Sequence, residues 1–86
     1  MATDKKEIKQ WLKEAKENKD KYLIIVCDTF DWEDYPVFCK TDKECIDEFE
    51  RLDGNNMQKV MEVYDLSMDI NLQLNEFRAK HLPKNN

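Results

Sequence analysis

The chain predicts an α+β fold of order α-β-β-α-β-α, with a three-stranded antiparallel sheet, strand order 2-1-3, packed with helices. Three observations predict it. "YLIIVC" at 22–27 is the longest apolar run, and its continuous, β-branched character suits a strand buried on both faces. Other stretches place apolar residues at helical spacing behind capping signals. One Gly and two Pro in 86 residues favour long regular elements with few tight loops.

Each element has its own justification. Asp4 followed by Glu7 has capping-box spacing, and Ile8, Trp11, Leu12 and Ala15 then recur on one helical face. Asn18, Lys19 and Asp20 end that helix. In the first strand Tyr22, Ile24 and Val26 face one way, and Leu23, Ile25 and Cys27 the other. "YPVFC" at 35–39 is the second strand, and Pro36 puts it at a sheet edge because it has no N–H for a ladder bond. Thr41 and Glu44 form a second capping box, behind which Cys45, Ile46, Phe49 and Leu52 line one helix side. "DGNN" at 53–56 stops this helix, with Gly54 suited to the left-handed conformation.

Residues 57–65 read as a third strand, because Val60, Met61, Val63 and Tyr64 populate both faces. Ile70, Leu74, Phe77 and His81 then predict a last helix over 70–81, ended by Pro83. Asp65 and Asp69 start it by capping and dipole complementation. The single fully apolar strand belongs in the centre of the sheet, which makes each neighbouring pair antiparallel. If the helices leave one sheet face open, that face asks for a second subunit, so a homodimer or higher oligomer is the expectation.

One small domain is predicted, with its core at 4–82 and a tail at 83–86. At 41% hydrophobic and 38% charged the chain is not a disordered tail. The longest apolar run is six residues, far short of the roughly 20 that span a bilayer. No secretory signal opens the sequence, and three unpaired-looking cysteines, Cys27, Cys39 and Cys45, suit a reducing, cytoplasmic location. The net charge is −5, and residues 28–56 carry ten acids against three bases. Such acidity disfavours direct nucleic-acid binding and points to a basic partner or to solubility alone.

Chemistry concentrates in "CDTFDWEDYPVF" at 27–38, where four carboxylates and four aromatics share twelve residues. As a plain hairpin connection, Asp28 and Thr29 bond nearby backbone, Phe30 and Trp32 fold over the core edge, and Glu33 and Asp34 stay in water. As a binding site, the aromatics anchor a partner while the acids meet basic or donor groups. That site comprises Asp28, Phe30, Asp31, Trp32, Glu33, Asp34 and Tyr35, with Trp32 and Tyr35 as anchors.

The third reading is a small metal-dependent phosphoryl-transfer enzyme using Asp28, Asp31 and Asp34, since an acid after a buried strand is a common magnesium position. Against it, Phe30 stands where a second ligand is wanted, and "DTFDWEDY" has aromatics at two ligand places of a calcium loop and no central Gly. Cys27, Cys39, Cys45 and His81 are arithmetically a zinc set, but their spacings match no common knuckle and core thiols are the expectation. No metal and no cofactor is predicted. Asp65 and Asp69 join Asp28 only if the two strand ends coincide, which the antiparallel order opposes.

"VCDTFDWEDYPV", "NMQKVMEVYDL" and "QLNEFRAKHL" together resemble a group of short uncharacterised proteins carried by tailed bacteriophages and prophages, over roughly residues 6 to 82. The resemblance implies context: accessory factors that bind and disable host machinery inside the bacterial cytoplasm, or oligomeric sponges that sequester nucleotide signals. The expectation is a small acidic protein that works by binding, on a host protein with a basic surface. An oligomeric nucleotide sponge is the alternative within binding, and the phosphoryl-transfer enzyme the alternative outside it.

Overall fold

The central strand decides the architecture. A computed structural model describes residues 5–54, 57–76 and 79–83. Its elements are α1 (Lys5–Glu17), β1 (Tyr22–Asp28), β2 (Glu33–Cys39), α2 (Asp42–Leu52), β3 (Gln58–Asp65) and α3 (Ile70–Leu74). The sheet order is β2-β1-β3, antiparallel at both junctions. Tyr22 through Cys27 are all buried, as a two-faced central strand requires.

The two faces bury different helices. Tyr22, Ile24 and Val26 pack with Cys39, Val60 and Val63 and with Cys45 and Leu52 of α2. Leu23 and Ile25 pack with Ile8 and Leu12 of α1, with Tyr64, and with Leu74 and Ala79. Burying each such Leu or Ile contributes roughly 1.5–3 kcal/mol relative to exposure. Helices therefore cover both sheet faces within one chain, and an open face no longer argues for a second subunit.

Capping chemistry explains the element ends. Lys19 takes φ +60°, and the N–H groups of Lys19 and Asp20 donate to the carbonyls of Lys16 (3.1 Å) and Ala15 (2.8 Å). This is a Schellman end with lysine at the position that favours glycine. Lys40 Nζ then bonds the Asn18 carbonyl at 2.8 Å and the Asp20 carboxylate at 3.0 Å. The helix end is thereby tied to the β2–α2 turn.

Thr41 caps α2 by accepting from Glu44 N–H at 3.1 Å. Glu44 reaches back one residue beyond the usual capping-box partner, accepting from Lys40 N–H at 2.9 Å. Gly54 holds φ +77° past the helix end, as expected. The predicted cap at Asp4 lies outside the described residues.

Three details depart from the sequence expectation. β2 starts at Glu33, so Glu33 and Asp34 belong to the strand and not to the bend. In β3, Val60 opposes Val26 and Glu62 opposes Ile25, which leaves Met61 as an extra residue in a bulge. That bulge lets Val60 and Val63, three residues apart, share the α2 face, while Met61 and Tyr64 share the other.

The third departure is at the last helix, which ends at Leu74 instead of running to His81. Phe77 lies outside the described residues. Ala79 to His81 turn alongside β3: Val63 N–H donates to the Ala79 carbonyl (2.8 Å) and His81 N–H to the Val63 carbonyl (2.9 Å). The outer backbone groups of β3 need partners, and this parallel bridge supplies them at Val63.

Gln73 fixes the corner before it. Its buried amide accepts from Asp65 N–H at 2.7 Å and donates to the carbonyls of Asp65 (2.8 Å) and Asp69 (3.1 Å). Asp69 caps α3 by accepting from Leu72 N–H, as its position predicted.

Candidate functional site

The β1–β2 connection is a four-residue loop, 29–32, closed by the Asp28–Glu33 pair. Asp28 shapes it twice: its carbonyl accepts from Trp32 N–H at 2.6 Å, and its carboxylate accepts from Phe30 N–H at 2.9 Å. The second contact is an Asx turn, which short acidic side chains form readily. Thr29 ties the loop sideways, donating its N–H (2.7 Å) and its hydroxyl (2.8 Å) to the Met57 carbonyl just before β3. Trp32 takes φ +57°, a left-handed conformation that costs an ordinary L-residue about 1–2 kcal/mol.

The seven predicted site residues divide into two groups. Phe30 is 72% and Trp32 63% exposed, and Asp31 and Glu33 beside them are exposed too. The aromatics do not fold over the core edge. Asp28 is half-buried and occupied in forming the turn. Asp34, also half-buried, bonds the Cys27 thiol, and burial together with this carboxylate raises the thiol above its ordinary value.

Tyr35, expected as an anchor beside Trp32, packs against the core beneath α2 and bonds Gln58. Burial holds its phenol above the ordinary value. The reason is register: Tyr35 pairs with Val26, and paired residues share a sheet face.

Sequence reasoning missed Met57. It is 58% exposed and sits beside Thr29 at the same end of the sheet, in a left-handed conformation (φ +61°). A residue directly after "DGNN" carries no signal for that role, because only the pairing of β1 with β3 brings it to the hairpin.

The acids reserved for other chemistry stay apart. Asp65 pairs with Tyr22 at the start of β1 and Asp28 lies at its end, roughly 20 Å away along the strand. Asp65 instead accepts from the N–H and hydroxyl of Ser67. Among the described residues, no group of three or more His, Cys, Asp or Glu side chains is placed to hold a metal ion. Cys27 lies on the α1 face of the sheet and Cys39 and Cys45 on the α2 face, so the three thiols do not converge. His81 contacts Glu76.

A second polar cluster marks the opposite end of the sheet. Lys21 Nζ meets Asp42 at 2.7 Å, and the Tyr22 hydroxyl bonds the same carboxylate. The Lys21 ammonium, then the Tyr22 hydroxyl, hold the Asp42 carboxyl below its ordinary value. Both charged groups are substantially exposed, so this is a surface clamp between β1 and α2. No described helix is long and apolar enough to cross a membrane. Comparison with protein-family models, curated proteins and solved structures finds no match to this chain.

Proposed function

We propose that this protein works by binding rather than by catalysis, and that the hairpin tip Phe30–Asp31–Trp32–Glu33 makes the contact. The observation that carries the reading is Trp32: a large aromatic, 63% exposed, on a left-handed backbone. Exposed apolar area and backbone strain both work against folding, and such outliers concentrate where a site needs them. Trp is also the residue type most enriched among interface hot spots, where truncation costs 2 kcal/mol or more. Asp31 and Glu33, both exposed, precede and follow Trp32 in the chain, so the complementary partner is a protein surface carrying Lys or Arg around an apolar recess.

The resemblance to phage-borne proteins supplies the setting for the proposal. In it the chain is an accessory factor that occupies a basic surface of a host protein in the bacterial cytoplasm and inhibits it. The test compares wild type with Trp32→Ala and with the double variant Asp31→Asn, Glu33→Gln. Each variant should keep the thermal midpoint within a few degrees. A host protein retained on immobilised wild type should be lost on Trp32→Ala and become salt-insensitive and weak on the double variant. Equal retention by all three proteins, or unfolding of Trp32→Ala, defeats the reading. Extra mass of nucleotide size on the native protein would favour ligand sequestration in its place.

A further inference from the structure

Cys39 closes β2 and Cys45 sits in the opening turns of α2. Between them the chain reverses at Lys40 and Thr41, held by the Thr41 cap, the Glu44 back-contact and the bond from Cys45 N–H to the Thr41 carbonyl (3.1 Å). Both side chains enter the same core cluster, 1% and 0% exposed, and each thiol shifts the ionisation of the other. Cys27 faces the other side of the sheet. Two buried cysteines in one cluster on one sheet face, with the third excluded by the sheet itself, make a selective pair.

We propose that Cys39 and Cys45 form an intramolecular disulfide when the protein meets a small-molecule disulfide oxidant, locking the end of β2 to α2. The reaction is thiol–disulfide exchange. Local opening of the first turn of α2 admits the oxidant, RSSR. The Cys39 thiolate attacks one sulfur, forming a mixed disulfide and releasing RS⁻. Cys45 then gives its proton to solvent and attacks the Cys39 sulfur, expelling the second RS⁻. Two protein thiols are oxidised, one RSSR is reduced, and two RSH leave after protonation.

The roles follow from the opposite directions in which the two thiols are shifted. The neighbouring Cys45 lowers the Cys39 thiol relative to its ordinary value. Cys39, and then burial, raises Cys45. Cys39 is therefore the attacking sulfur and Cys45 the resolving one. The loop so closed is short, and the chain reversal between the two residues is already formed.

The experiment equilibrates the reduced protein in a glutathione redox buffer. One sample starts folded and one starts unfolded in urea and is then refolded, so that oxidant access cannot decide the result. Intact mass and fragmentation of the joined tryptic peptides 22–40 and 44–51 are then read. The expected product has lost two hydrogen atoms, links Cys39 to Cys45, leaves Cys27 free to alkylation after unfolding, and melts at least about 4 °C higher. Cys45→Ala should instead stop at a glutathione adduct on Cys39. Three free thiols from both starting states, a link involving Cys27, or a lower melting temperature of the closed form would each overturn the proposal.

Discussion

The Met57 carbonyl accepts two hydrogen bonds from Thr29, at 2.7 Å from its N–H and 2.8 Å from its hydroxyl. A residue at the hairpin tip is thereby fastened to the residue that enters β3, 28 positions later. The two exposed aromatics thus stand on a braced loop. Preorganisation of this kind lowers the ordering cost that a loop pays on binding.

Thr29→Val keeps the shape and the backbone bond and removes the hydroxyl bond. The expected loss is about 0.5–1.5 kcal/mol of stability, read as a lower urea midpoint with an unchanged m-value. Partner affinity should fall with it, because Phe30 and Trp32 lose part of their support. Unchanged stability would mean that water replaces the hydroxyl contact in full.

Gln73→Leu tests the corner between β3 and α3. Leucine fills the space but leaves Asp65 N–H and two carbonyls without the amide partners that Gln73 provides. The cost should be about 1–3 kcal/mol, a large share of what a domain of this size holds. Thermal unfolding measures it, and a variant as stable as wild type would show that the amide only fills volume.

Lys19→Gly should stabilise. Lys19 holds φ +60° at the end of α1, where glycine escapes the left-handed penalty and loses part of that gain to its unfolded-state entropy. The net expectation is about 0.5–1 kcal/mol, seen as a rise of a few degrees in melting temperature. A fall would mean that the lysine side chain contributes more than its backbone costs.

Alkaline pH should unfold the protein earlier than the charge of its surface alone would. Burial raises the phenols of Tyr22 and Tyr64 above their ordinary value, and burial likewise raises the Cys27 thiol. A group whose folded value is raised contributes stability that is complete below its unfolded value and is lost as pH climbs toward the folded one. The loss should begin near pH 8.5, where unfolded thiols ionise, and steepen past pH 10 with the tyrosines, at about 1.4 kcal/mol per pH unit for each proton that only the unfolded chain releases. Melting temperatures from pH 8 to 11 measure this, and Tyr64→Phe should flatten the steep part. At the acid end the sign reverses for Asp42: its folded value is depressed by Lys21 and Tyr22, so its contribution is present above the ordinary carboxylate range and vanishes as pH falls through the folded value.

Some of the site was legible in the residues themselves. The acid-rich aromatic stretch is visible as composition, and Asp28 as a turn former follows from its side chain. Exposure of Phe30 and Trp32 is not legible, because the same pattern fits aromatics folded back on the core. Tyr35 shows the converse: its inward orientation depends on its pairing with Val26, a relation between strands that no local window contains. The thiol pair was hidden for a related reason, since five intervening residues say nothing until a capped helix start reverses the chain.

Part of the molecule follows from local chemistry along the chain. "YLIIVC" made a central strand, Pro36 an edge, Thr41 a cap and Gly54 a left-handed stop, because each follows from one side chain and its neighbours along the chain. The tertiary structure alone decided the Met61 bulge, the early end of α3, the burial of Gln73 and the brace between Thr29 and Met57. The bulge sets the register of β3 on β1, and the other three satisfy backbone donors and acceptors at the ends or outer edge of the sheet. Where those groups lie, and which distant residue can reach them, is settled only when the strands have paired.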